Sequence, residues 1–272
     1  MTSVRALEGP LAAWRSFRDI ARATRTLAGA QALQWAERSR HAEAHLVWCA
    51  ATAEALPVAL PSRAGPRPRV VIALGSDLGL CGPLNRLLAA GCRAHELDAA
   101  PTVLRVIVGH RLASLEPLSA PIVLPTPSSL AAVETLATEL GGLLERLPDP
   151  DHVELVLVLA GAVEGDGHPR VDVWRGLGLV DPLAPADRVW LARAGAPLEL
   201  DPELAHAARA LARHARLHAA LCRALTSENE ARWRTMGRAF ESAQRRIAEQ
   251  ERRLRRLRQE LITQEMLEAR GG

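Results

Sequence analysis

Hydrophobic positions follow two different spacings along the chain, and the spacing changes where proline becomes frequent. Seventeen of the 18 prolines lie between Pro57 and Pro202, so residues 11–56 and 203–272 contain none. These two stretches are rich in Ala, Arg, Leu, Glu and Gln, which favour helix. Their apolar residues recur every three or four positions, as on one face of a helix. The pattern predicts a long helix at each end of the chain.

The middle of the chain has short apolar runs separated by turns that contain proline and glycine. Four runs have the length and β-branched content of buried strands; they are 69–74, 103–108, 121–124 and 153–160. Helical patterns at 82–97 and 128–147 lie between them, and RVDVW (170–174) and DRVWLA (187–192) are candidate edge strands. Such alternation is typical of a mostly parallel, Rossmann-like sheet, so we predict an α/β fold.

The C-terminal stretch predicts a helix of about 65 residues, or roughly 100 Å. Pro202 suits its first turn, with Asp201 as a candidate cap. The apolar seam is expected at Leu204, Ala208, Leu211, Ala215, His218, Cys222, Leu225, Asn229, Arg232, Met236, Phe240, Ala243, Ile247, Gln250, Leu254, Leu257 and Leu261. Thirteen of these 17 positions are apolar, which is enough to predict a packed helix face.

The N-terminal stretch is the expected partner of that helix. Its apolar face is predicted to hold Trp14, Phe17, Ile20, Leu27, Trp35 and Leu46. Both helices join the same middle region, which favours an antiparallel coiled coil. The N-terminal helix would reach only roughly 68 Å, so the last turns of its partner, around 255–268, should extend beyond it. We therefore divide the chain into 1–56, 57–202 and 203–272.

Composition restricts the function classes. No apolar run reaches the roughly 20 residues of a membrane helix, and the opening residues show no apolar signal segment, so we expect a protein without direct membrane insertion. The four cysteines form no CxxC pair and are expected as free thiols. The net charge is only +3. We therefore predict a solvated coil face, and no nucleic-acid binding, for the seven Arg and two Glu of residues 245–258.

The turn from Ser76 to Asn85 follows a predicted strand and precedes a predicted helix, where phosphate often binds. It lacks the GKS/T ending of a P-loop and the full G-x-G-x-x-G spacing, and Pro83 has no free amide. We predict a structural turn in which Ser76 or Asp77 caps the following helix.

Other candidate groups have ordinary interpretations. His206, His214 and His218 have helix-compatible spacing, but no cysteine or carboxylate cluster lies beside them in sequence. We expect surface or seam histidines, no metal and no cofactor. Asn229 and Arg232 are polar positions on the seam; they either fix the helix register, or Arg232 contacts a partner.

Three separated motifs resemble those of the gamma subunit of rotary F-type ATP synthases. SDLGLCGPLN (76–85) is similar to the family's SDRGLCGGLN, SENEARWRTM (227–236) to SEN-x-AR-x-x-x-M, and RQELITQEMLE (258–268) to RQ-x-x-IT-x-E-x-x-E. The first motif matches at Ser76, Asp77, Gly79, Leu80, Cys81, Gly82, Leu84 and Asn85. Leu78 and Pro83 stand where the family has Arg and Gly. In the N-terminal stretch DIARATRTLAGA (19–30), which resembles the family's KITKAMKMVAAS, Thr24 and Thr26 stand where the family has Met. These departures are those of a divergent member, as from an alternate ATPase operon.

The resemblance implies a non-catalytic rotor shaft with antiparallel terminal helices around a Rossmann-like domain. It implies that this shaft couples rotation of the c-ring to conformational change in the catalytic beta subunits. The implied partners are the alpha and beta subunits, epsilon and the c-ring, at the cytoplasmic face of a bacterial inner membrane. The implied contact residues for the alpha–beta hexamer are Arg232, Arg258, Gln259 and Thr263, and the turn at 76–85 would lie near the foot of the subunit. The resemblance also implies that the basic run at 245–258 faces acidic loops of the beta subunits.

Two other function classes fit the same pattern. One is a stand-alone Rossmann-type enzyme with helical oligomerisation arms, which would bind a nucleotide. The other is a coiled-coil adaptor, which would self-associate through residues 203–268.

Overall fold

The computed structural model describes residues 4–56, 67–96, 102–115, 122–163, 169–176 and 202–271 of the chain. Within these residues the helices are α1 Val4–Ala55, α2 Leu84–Glu96, α3 His110–Ala113, α4 Leu130–Glu145 and α5 Pro202–Gly271. The strands are β1 Arg69–Leu74, β2 Thr102–Val108, β3 Ile122–Leu124, β4 Glu154–Val163 and β5 Pro169–Arg175. The predicted long helices at the two ends are confirmed.

The strands form one sheet in the order β3-β2-β1-β4-β5. The first four are parallel to their neighbours, and β5 pairs antiparallel with β4. The predicted α/β fold with a mostly parallel sheet is confirmed, and the predicted strand at 170–174 lies within β5. The candidate strand at 187–192 and the candidate cap Asp201 lie outside the described residues.

Contacts divide the described chain into two compact units. The α/β unit is Gln31–Ala231. The helical-end unit consists of the chain up to Ala30 and the chain from Arg232. Each unit contains one stretch of α1 and one stretch of α5.

In the α/β unit, helices cover both faces of the sheet. Val70, Ile72 and Leu74 of β1 share a core with α1, α4 and α5. Val71 and Ala73, on the opposite face, pack with α2. Successive strand residues point to opposite faces, and parallel sheets are commonly buried on both, so the continuous apolar run of β1 follows from its central position.

In the helical-end unit, α1 and α5 run antiparallel. Early residues of α1 pair with late residues of α5: Glu8 with Arg258 at 3.1 Å and Arg15 with Glu251 at 2.7 Å. A small core of Leu11, Ile247 and Leu254, joined by Trp14, lies between them. From Arg258 to Gly271 every residue is exposed, so the packed part of α5 ends close to the predicted limit at 255.

The predicted apolar face of the N-terminal helix is wrong at three positions. Phe17, Ile20 and Leu27 are 42, 61 and 60% exposed, whereas Ala21 and Ala28 are buried. Small residues let two helices approach more closely than large ones do. The helices therefore pack along an alanine face at Ala21 and Ala28, and these three large apolar side chains lie outside it.

The predicted seam of α5 is also wrong at its start. Leu204 and Leu211 are about half exposed, and Ala205 and Ala212 are buried instead. This part of α5 also packs against α4, through contacts such as His218 with Glu134. The second neighbour widens the buried face, because Ala208 and Ala215 of the predicted seam are buried as well.

Candidate functional site

The turn after β1 is closed by two side chains of the 76–85 motif. The Ser76 backbone N–H donates to Asn85 Oδ1 at 3.1 Å, and Asn85 Nδ2 donates to Ser76 Oγ at 2.9 Å. Ser76 Oγ in turn donates to the Leu78 carbonyl at 2.9 Å. Ser76 and Asn85 are both buried. Because the Ser76 amide is already bonded, it is not available to a phosphate.

Asp77 joins three loops at the carboxyl edge of the sheet. Its Oδ1 accepts from the backbone N–H of His110, after β2, at 2.7 Å and lies 2.8 Å from the His110 ring Nδ1. Its Oδ2 accepts from the Thr126 N–H, after β3, at 2.8 Å. Burial raises the pKa of Asp77, but the hydrogen bonds from His110 and Thr126 outweigh burial, so the pKa lies below its usual value. Asp77 thus contacts the start of α3 rather than acting in the predicted cap of α2.

The tip of the turn combines a strained backbone with exposed apolar side chains. Leu80 has φ +69°, a conformation that costs an ordinary residue about 1–2 kcal/mol. Leu78 and Leu80 are 67 and 56% exposed. Gly82 also has a positive φ, which glycine adopts without the strain that Leu80 bears, whereas Gly79 has open space beside it. Cys81 is buried, and its thiol donates to the carbonyls of Leu78 and Gly79.

The second motif, at 227–236, begins on the buried side of α5. Ser227 Oγ donates to the carbonyls of Ala160 and Gly161 in β4, at 2.8 and 3.2 Å. Asn229 is also buried, and its Nδ2 donates to the Leu225 carbonyl one turn earlier in α5. Arg232, at the start of the helical-end unit, is half-buried. The first residues of this motif therefore face the sheet, where the sequence indicated only a coil seam.

The third motif, in the helical-end unit, has an open surface. Arg258 donates to Glu8 at 3.1 Å within the chain. Gln259 and Thr263 are exposed, and the Thr263 hydroxyl donates to the Gln259 carbonyl. Leu261, Ile262, Met266 and Leu267 are all at least 38% exposed. A surface with polar and large apolar groups side by side is typical of a contact site for another protein.

A basic stripe continues from this surface along α5. Arg245, Arg252 and Arg256 follow one another at seven and four residues, which places them on one helix face with Gln259. All three guanidinium groups are exposed, and within the described part of the chain no carboxylate pairs with them. The spacing of the stripe is visible in the sequence, but only the structure shows that these arginines lack carboxylate partners among the described residues.

Two arginines of α1 in the helical-end unit stack on aromatic rings of α5. The Arg22 guanidinium lies 5.2 Å from the Phe240 ring centre and Arg25 lies 5.5 Å from that of Trp233. These residues line a surface groove that includes Gly29, where an added Cβ would lie 3.0 Å from Trp233. The sequence does not predict this groove, because no local pattern links residues more than 200 positions apart.

The histidines of α5 have protein partners. His218 Nε2 lies 3.1 Å from Glu134 Oε1, and His206 Nδ1 lies 3.2 Å from Asp151 Oδ2. His214 Nε2 lies 3.5 Å from Thr138 Oγ1. Among the described residues, no three His, Cys, Asp or Glu side chains are grouped to hold a metal ion.

We expect His218 to make the α/β unit less stable in mild acid. Burial lowers the pKa of His218, and His214 and His45 lower it further, while Glu134 raises it. The unfolded chain therefore takes up a proton at a higher pH than the folded chain does, so stability is full above about pH 6.5 and falls as the pH drops below it. Thermal unfolding at pH 7.5 and 5.5 should show the loss, and His218→Gln should reduce it.

A matched control for that measurement is His41→Gln. His41 is exposed on α1, so its replacement should leave the difference between pH 7.5 and 5.5 as in the parent. If the parent and His218→Gln lose the same stability between pH 7.5 and pH 5.5, His218 is not the group responsible for the loss.

Comparison with known proteins finds similarity in structure only. No family model matches the chain, and no curated protein matches it in sequence. A chain of the Euglena gracilis mitochondrial ATP synthase rotor matches with TM-score 0.68 and 12% identity, over 95% of this chain and 98% of that one. A chain of the OSCP/F1/c-ring assembly of the same synthase gives TM-score 0.69 and 14% identity, over 98% and 92%.

A third solved structure is a chain of the Tetrahymena thermophila mitochondrial ATP synthase central stalk and c-ring. It matches with TM-score 0.53 and 17% identity, over 81% of this chain and 99% of that one. The fold of this chain is thus the fold of ATP synthase rotor and central-stalk chains. Among the described residues, no helix is long and apolar enough to cross a membrane.

Proposed function

We propose that this chain is the central rotor shaft, the gamma subunit, of an F-type ATP synthase. The observation that carries the proposal is the match to the Euglena rotor chain over 95% of this chain and 98% of that one. The sequence motifs at 76–85, 227–236 and 258–268 resemble the same family. The motifs and the fold together favour the shaft over a Rossmann enzyme or a coiled-coil adaptor.

In this proposal the subunit catalyses no reaction itself. The α/β unit would rest on the c-ring with epsilon, and the helical-end unit would lie inside the alpha–beta hexamer. Rotation would present different faces of the helices to the three catalytic beta subunits and so couple ion flow to their nucleotide states. The chain would be peripheral, at the cytoplasmic face of a bacterial inner membrane.

The surface of the helical-end unit supports this assignment by its chemistry. The exposed Gln259 and Thr263 offer hydrogen bonds, and the nearby Leu261 and Ile262 offer apolar area. The basic stripe beside them would attract the acidic loops that the family resemblance assigns to the beta subunits. Arg232 is a further candidate contact.

The turn at 76–85 gives less support to the competing Rossmann enzyme. The Ser76 amide is bonded to Asn85, and Pro83, just before α2, has no N–H to donate. A phosphate at this edge would therefore meet fewer free amides than a P-loop offers.

Co-purification tests the proposal directly. We expect the tagged chain, expressed with the alpha and beta subunits of its own organism, to purify with both in a complex that hydrolyses ATP. Recovery of the tagged chain alone, under conditions where the alpha–beta hexamer itself assembles, would contradict the proposal.

Calorimetry with Mg–ATP on the isolated chain provides the second arm of the same test. A shaft should bind no nucleotide at micromolar concentration. Micromolar affinity that disappears in Asp77→Ala or Gly79→Ala would favour the stand-alone enzyme instead.

A further inference from the structure

We propose that Arg223 and Ser227 of α5 form a polar joint that locks α5 to the edge of the sheet. The joint would fix both the position of α5 along its axis and its rotation about that axis. Its consequence for torque transfer rests on the function proposed above, whereas its mechanical role within the α/β unit does not.

Arg223 connects three elements. Its Nη1 donates to Glu43 Oε1 of α1 at 3.1 Å, and its Nη2 lies 3.6 Å from Asp172 Oδ2 of β5. Ser39 Oγ donates to the same Glu43 oxygen at 3.0 Å, and Arg170 Nε donates to Asp172 Oδ1 at 2.8 Å. Both carboxylates are therefore held in place by a second group, which makes the position of the guanidinium well defined.

Ser227 lies one helical turn further along α5 and binds the neighbouring strand. Its hydroxyl donates to the Ala160 and Gly161 carbonyls. The pairing of β4 with β5 is irregular between Ala160 and Val163. Where the pairing of two strands is irregular, some backbone carbonyls need a hydrogen-bond donor from outside the sheet. The hydroxyl of the buried Ser227 is such a donor.

Close packing at this point brings the two contacts together. A Cβ added to Gly161 would overlap the Asp172 carboxylate. Asp172 is only 9% exposed, so a side chain at position 161 would displace the carboxylate that Arg223 contacts. The glycine thus lets β4, β5 and α5 meet within a few ångströms.

Other polar contacts of α5 in this unit are made to α4 and to the segment after it, as when Arg213 pairs with Glu145 and Asp151. Ala212, Ala215, Ala219 and Ala220 are all buried on α5 and belong to the core of the α/β unit. Alanine surfaces bury apolar area, and apolar burial is non-directional. Hydrogen bonds prefer a narrow range of distances and angles, so Arg223 and Ser227 resist sliding and rotation of α5 against β4 and β5.

Hydrogen exchange on the isolated full-length chain tests the joint without any partner. In Arg223→Gln and in Ser227→Ala, amides of α5 near 222–231 should exchange about tenfold faster than in the parent, as expected for loss of one buried or charge-assisted hydrogen bond. Arg40→Gln and Ser242→Ala are matched controls, because both side chains are exposed; they should exchange like the parent. Unchanged exchange in both joint variants would overturn the proposal, whatever the function of the chain.

The reconstituted ATPase complex tests the transfer of torque. Here Arg223→Gln combined with Ser227→Ala should retain ATP hydrolysis but pump fewer ions per ATP than the Arg40→Gln complex. Faster exchange in the isolated chain with an unchanged pumping ratio would overturn the torque role. If the parent chain enters no complex, the proposed function fails, and the exchange experiment still decides whether the joint exists.

Discussion

Gly109→Ala should destabilise the chain by about 3–4 kcal/mol, a larger loss than most single substitutions cause. Gly109 follows β2 with φ +108°, where an L-residue is strained. An added Cβ would also lie 2.6 Å from the Ser76 backbone nitrogen and 2.9 Å from the Gly75 carbonyl carbon. Since the obstacle is backbone, β1 and β2 would have to separate at the edge where Asp77 joins their loops.

Gly176→Ala is the control that separates strain from crowding. Gly176 also has a positive φ, +68°, but nothing lies within 4 Å of its added Cβ. It should therefore cost only about 1 kcal/mol. Urea unfolding of both variants, followed by circular dichroism, gives the two free energies. Equal losses at the two positions would show that the close approach of Gly109 to Ser76 adds nothing.

The sheet was predictable because each of its strands has a local signature. A continuous β-branched run such as 69–74 is buried on both faces only at the centre of a parallel sheet, and β1 occupies that position. The long helices were equally clear, since residues 11–56 and 203–272 contain no proline.

The contact face of the helices was less predictable. Hydrophobicity alone places Phe17, Ile20 and Leu27 inside, but they are exposed and Ala21 and Ala28 are buried. Which face packs depends on how closely the partner helix approaches, and that distance is a property of the pair. In a shaft surrounded by other subunits, large apolar side chains on the outer face would have a partner to contact.

The site motifs were recognisable in the sequence, but their contacts were not. Asp77 reaches His110 and Thr126, which lie 33 and 49 residues away. Ser227 reaches Ala160 across 67 residues. Contacts of this range depend on strand order and on how α5 docks, so no local spacing in the sequence predicts them.

Loss of the exposed polar groups near the end of α5 should weaken the complex more than it weakens the chain. Gln259→Ala with Thr263→Ala removes two exposed side chains whose described contacts include no residue of α1. If these groups bind the alpha–beta hexamer, the complex should lose on the order of 1–3 kcal/mol of binding free energy, which corresponds to roughly 5–150-fold in affinity. Subunit retention and ATPase activity of the reconstituted complex measure it, with circular dichroism of the isolated chain as the folding control.

Arg258 needs a different design, because it already pairs with Glu8. An exposed pair of this kind contributes about 0–1 kcal/mol to the chain itself, so Glu8→Gln and Arg258→Ala should change folding equally little. In the complex they should differ: Arg258→Ala removes the proposed contact, whereas Glu8→Gln leaves the guanidinium free to bind a carboxylate of the hexamer. Leu254→Asp places a charge in the small core with Leu11 and Ile247 and should disrupt the helix pair in both assays. If Arg258→Ala and Glu8→Gln give the same ATPase activity and retention as each other, Arg258 serves only to join α5 to α1.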